Sequence, residues 1–111
     1  MKADPRLQQL TQVATLLADR ALEPVAAKQL KVDEIRQKLT DLSAKKADIL
    51  MQEVALEEGA ILSRHLTHIG HERSRLLLAQ AKAEAALEIA KDAARLAVGR
   101  REALTRLLGR P

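Results

Sequence analysis

The stretch VAAKQLKVDEIRQKLTDLSAKKADILMQEVAL, residues 25–56, decides the fold. Apolar residues return at Val25, Val32, Ile35, Leu39, Leu42, Ile49 and Leu56 in alternating steps of three and four, with Lys28, Lys46 and Glu53 in the remaining places of the series. That is the a/d spacing of a helix that packs along one stripe against another helix. No Gly or Pro interrupts it.

Toward the N-terminus, Leu7, Leu10, Ala14, Leu17 and Ala21 form a seam with the same period, displaced by four residues from the frame that follows Pro24. A four-residue displacement is a stutter, and an interior proline removes one backbone hydrogen bond. The two signals coincide and predict a kink or break near residues 21–24. Asp4 before Pro5 marks a helix start, because the carboxylate can accept an orphan N–H while proline presets the first helical φ. Toward the C-terminus, Gly59 precedes a second series: Leu62, Leu66, Ile69, Leu76, Ala83, Leu87, Ala90, Ala94, Ala97, Leu104 and Leu108. A turn at about residues 58–60 divides the chain into arms of nearly equal length, a helix over about 5–57 and another over about 61–108. The expected fold is therefore all-α, a single long antiparallel two-helix hairpin.

Folding the chain about Gly59 pairs positions whose numbers sum to 118. Leu56 then meets Leu62, Ile49 meets Ile69, Leu42 meets Leu76, Ala14 meets Leu104 and Leu10 meets Leu108. Val25, Val32 and Leu39 meet Ala93, Ala86 and Ala79, and Lys46 meets Glu72. Each arm of about 50 residues has a length of roughly 75 Å at the helical rise, a thin rod with little core per residue.

Composition agrees with this reading. The chain has 111 residues, 20 of them Ala and 20 Leu, no Phe, Tyr or Trp, and 31% charged side chains. Without aromatics a thick globular core is not expected, and the mixture is that of long helices. No cysteine is present, so disulfide and thiolate chemistry are excluded. The absence of a signal-peptide core near Met1 and of any apolar run of about 20 residues points to a cytoplasmic protein without membrane insertion. The net charge of +4 lies at one end: residues 1–90 carry 13 basic and 13 acidic side chains, and residues 91–111 carry 6 and 2.

No catalytic constellation emerges. Glu57 and Glu58 are paired carboxylates at the expected turn, without the burial that tunes an acid or base. Ser43, Ser63 and Ser74 lack His and Asp companions, and the glycines form no phosphate loop. His65, His68 and His71, spaced by three, spread over about a third of a helix circumference. Glu72 stands one turn from His68 as a co-ligand, but no second cluster completes a tetrahedral site, so no metal or cofactor is assigned. Lys91, Arg95, Arg100, Arg101, Arg106 and Arg110 can meet an anionic surface. Nothing aromatic interleaves them for base stacking, which disfavours nucleic acid.

A heptad pattern opening Arg6, Leu7, Leu10, Val13, Leu16, Leu17, on a small helical chain with a basic end, resembles the FliJ/YscO family of export-apparatus stalk proteins. The resemblance covers the whole chain as a pattern and implies an antiparallel helical hairpin. It further implies that the paired terminal ends, Leu7 to Leu17 and Arg95 to Leu108, enter the central hole of a hexameric export ATPase while the tip reaches the export gate. Arg95, Arg100, Arg101 and Arg106 are then the ATPase contacts, and Arg64, His65, His68 and His71 the tip contacts. The Pro24 stutter departs from the pattern. The function expected is thus a non-enzymatic coiled-coil interaction protein, a stalk or adaptor of flagellar or type III export. The alternatives are a basic nucleic-acid-associated helical protein and a self-assembling structural coiled coil driven by Leu77, Leu78, Ile89 and Leu96.

Overall fold

A computed structural model describes residues 4–52 and 56–109, apart from the side chains of Leu56 and Glu57. The described chain is two helices, α1 (Pro5–Leu50) and α2 (Leu56–Leu108), which pair antiparallel as a helical hairpin. α1 starts as its sequence demands: the Asp4 carboxylate accepts a hydrogen bond from the Arg6 N–H at 2.9 Å. Such a cap satisfies one of the four orphan donors of the first turn. All five threonines in the helices, Thr11, Thr15, Thr40, Thr67 and Thr105, donate their hydroxyls to the carbonyl four residues back. A polar residue can therefore sit beside the seam with its hydroxyl satisfied inside its own helix.

The hairpin comprises two compact units. One is built from residues 1–30 and 85–111, the paired terminal segments, and the other from residues 31–84. In the terminal unit Ala14, Ala18, Leu87 and Ala94 are buried. Ala14 shares a groove with Leu104, and Val25 shares one with Ala94. In the second unit Val32, Ile35 and Ile69 are buried, Leu42 stands with Leu76, and Arg36 bridges to Glu84 at 3.1 Å. That ion pair is about half exposed and contributes at most about 1 kcal/mol. Small residues facing larger ones let the helix axes approach, so van der Waals contact along the seam holds the pair together.

Several expectations need correction. Of the kink or break expected near residues 21–24, a break does not occur: α1 runs from Pro5 to Leu50 with Pro24 inside it. The stutter is absent too. Side chains at Leu7, Thr11, Ala14, Ala18, Ala21 and Val25 are buried or half-buried, which carries the frame of residues 25–49 back to the start of α1 without a shift. Leu10 and Leu17, assigned to the seam, are 55% and 52% exposed. A helix without a break keeps one heptad register, since changing it costs local unwinding. The stronger seam, anchored by Val32 and Ile35, imposes its frame on the weaker one.

The turn is also displaced. α2 begins at Leu56, so Glu58, Gly59 and Ala60 lie in its first turns, and none of the described glycines has a positive φ. An acidic residue in a first helical turn complements the positive end of the helix dipole, and Glu58 stands in the first turn of α2. Among the facing pairs, Leu42 and Leu76 line one groove together, and Ala14 and Leu104 another, as the pairing implies. Ala93 is exposed and its neighbour Ala94 takes its place beside Val25. Glu72 does not meet Lys46 in an ion pair; both its oxygens accept from Arg75 on its own helix, at 2.5 and 2.7 Å. A partner three residues away on the same face is reached with less loss of side-chain freedom than one across the seam. Glu53 and the pairing of Leu56 with Leu62 lie outside the described side chains.

Gly70 and Gly99 are helical, and an added Cβ meets nothing within 4 Å at either. Glycine in a helix interior costs roughly 0.5–1 kcal/mol relative to alanine through backbone entropy. Gly70→Ala should therefore raise the unfolding free energy by about that amount in a urea titration followed by helicity. A loss of stability there would show that the position needs the missing side chain for a close approach.

Candidate protein-docking surface

Leu10, Val13, Leu16 and Leu17 follow one another within two turns of α1, and all are more than half exposed. Leu10, Val13 and Leu17 join Ala14 on one wall of an open groove whose other wall is Arg100, Ala103 and Leu104 of α2. Six of these seven lining residues are apolar, and Arg100 is the single charge. The groove exists because the seam took Thr11 and Ala18. Had α1 followed the frame of Leu10 and Leu17, those leucines would face inward.

The imbalance is general. Seven apolar residues are buried among the described residues, three of them alanines, while fourteen large apolar side chains stand exposed. Scattered exposed leucines are ordinary, but a contiguous apolar face marks an interaction surface. The terminal unit holds six such residues on α1, namely Leu10, Val13, Leu16, Leu17, Leu22 and Leu30. A smaller groove in the same unit is lined by Leu22, Val25, Ala94 and Val98 with Lys91 and Arg95 at its edge.

Charge falls in the same place. Residues 1–30 and 85–111 carry ten basic and six acidic side chains, whereas residues 31–84 carry nine of each. The whole excess of +4 thus belongs to the terminal unit. Of the arginines singled out from the sequence, Arg95 is tied to Asp92 at 2.7 Å and Arg106 approaches Glu102 at 4.0 Å. Arg101 is half-buried and Arg100 lines the groove. Neither Arg100 nor Arg101 forms an ion pair among the described residues. Arg110 lies outside the described residues.

Arg64, His65, His68 and His71 are exposed on α2 in the other unit. Leu50, the last residue of α1, lines a groove with Ile69. Among the described residues no group of three His, Cys, Asp or Glu side chains is placed to hold a metal ion. The tip residues and the arginines belong to different units, and neither set lies in a pocket with converging polar groups. Sequence reasoning missed the leucine face itself: the residues were visible, and only their direction was misassigned.

Among the described residues no helix is long and apolar enough to cross a membrane. Comparison with known protein families, with curated proteins and with solved structures yields no match for this chain.

Proposed function

We propose that this chain is a non-enzymatic helical-hairpin interaction protein whose contact surface is the unit formed by its two ends. The observation that carries the proposal is the coincidence, in that unit, of an exposed leucine face with the entire net positive charge. Aliphatic contact area supplies affinity, and rim charge steers encounter and sets register. This surface suits a protein partner better than a small molecule, for which an enclosed pocket with converging polar groups is needed.

Within that reading, the assignment we favour is a stalk or adaptor of a flagellar or type III export ATPase in the cytoplasm. It is supported by the resemblance of the heptad opening at Arg6 to Leu17 and by a basic terminal end matched to the interior of a ring. A purified export ATPase provides the test. Added full-length chain should bind the assembled hexamer as one copy per ring, and reversing Arg100 and Arg101 together to glutamate should weaken binding by about tenfold or more, as loss of paired rim charge does. Absence of binding to the hexamer in sedimentation would eliminate the stalk assignment.

A second reading, self-assembly into a structural coiled coil, is favoured by Leu77, Leu78, Ile89 and Leu96, which are exposed as their sequence positions suggest. Helicity and mass that rise with protein concentration would select it. Association with nucleic acid rests on charge alone, and its signature would be affinity that falls steeply with salt.

A further inference from the structure

α1 carries two heptad seams over its first third, and the hairpin uses one of them. Thr11, Ala14, Ala18 and Ala21 turn toward α2. Leu10, Val13 and Leu17 repeat the same three-four spacing one strip further round and remain open to solvent. A row at i, i+3 and i+7 beside a second helix is the surface on which a third helix lays its own apolar seam. Ala103 and Leu104 of α2 complete the trough, and Arg100 stands in it without an ion-pair partner among the described residues.

Resting on the reading of the chain as an interaction protein, we propose that this groove seats one amphipathic α-helix of a partner protein, apolar along its seam and acidic along its flanks, completing a three-helix coiled coil. The groove sets the occupant's shape and the charge sets its flanks. A carboxylate on the helix edge finds Arg100, and the surrounding unit holds ten basic against six acidic side chains. A second copy of this chain is the worse occupant. An isologous dimer across the groove opposes two units that each carry +4, and like charge along a coiled-coil flank selects against pairing.

The probes are two labelled synthetic helices of four heptads with identical Leu and Ile seams, one flanked by Glu and one by Lys. Each is titrated with the full-length chain and followed by fluorescence anisotropy at low and high salt. The Glu-flanked helix should bind saturably and the Lys-flanked one at least about tenfold more weakly. Leu10→Gln combined with Leu17→Gln should weaken binding of the Glu-flanked helix by about tenfold or more, because centrally placed apolar anchors dominate such contacts. Both leucines are exposed, so helicity and melting of the double variant should stay at wild-type values. Arg100→Glu, at an exposed side chain, provides an independent variant and should narrow the preference between the two helices. Equal binding of the two probes would overturn the acidic class of partner, and binding indifferent to Leu10 and Leu17 would overturn the groove. A chain dimer that dissociates on Leu10→Gln and Leu17→Gln would give the groove to a second copy. If the double variant still binds the export ATPase or another identified partner as wild type does, the interaction reading survives and this inference fails. If neither that partner nor the probes bind, both fail.

Discussion

Leu87→Ala should destabilise the hairpin by about 2–4 kcal/mol, while Leu17→Ala should change its stability by less than about 1 kcal/mol. The same atoms are removed in both. Leu87 is 6% exposed, so truncation leaves a cavity that the surrounding residues cannot wholly fill. Leu17 is 52% exposed, and most of its surface is in water before and after. With only seven buried apolar residues among those described, Leu87 represents a large share of the core of its unit. For a chain of this size the first substitution should lower the melting temperature by about 10–15 °C. Comparable losses at the two positions would mean that α1 packs in the frame of Leu10 and Leu17, and the groove described above would not exist.

Pro24→Ala should act in the opposite direction and stabilise the hairpin by about 2 kcal/mol. Pro24 lies inside α1 and is exposed, so alanine there meets no packing obstacle. Proline within a helix is about 3 kcal/mol less favourable than alanine, because the carbonyl four residues earlier loses its donor and the ring crowds it. Proline also restricts the unfolded chain, which returns about 0.4–1 kcal/mol to the wild type and reduces the net gain. Thermal melting followed by helicity reads the effect as a rise of several degrees. An unchanged or lower melting temperature would show that the path of α1 around Pro24 is adapted to the proline, and that the small seam residues Ala18 and Ala21 depend on it.

The candidate surface was partly legible before the fold was known. The concentration of charge in the terminal segments is a matter of counting, and the structure places that charge in one unit because the two ends pair. Leu77, Leu78, Ile89 and Leu96 fall outside the α2 series and are exposed. Which arginines lack an ion pair is readable from spacing as well: Asp92 stands three residues before Arg95 and Glu102 four before Arg106, whereas no acidic residue lies three or four positions from Arg100 or Arg101.

Sequence by itself determined the all-α class, the two-arm architecture, the cap at Asp4 and the seam of α2, because each rests on local chemistry: spacing of apolar residues, backbone capping and the rarity of helix breakers. Leu62, Leu66, Ile69, Leu76, Ala83, Leu87, Ala90, Ala94, Ala97, Leu104 and Leu108 are all buried or half-buried in the structure. Only tertiary structure decided the frame of α1 before Pro24, and with it the direction of Leu10, Val13 and Leu17. Two seams of equal period compete there, one rich in leucine and one in alanine and threonine. Local hydrophobicity favours the leucines, but a change of register inside α1 would cost local unwinding. Contact between α1 and α2 therefore gives the interface to the small residues and leaves the leucine face to solvent.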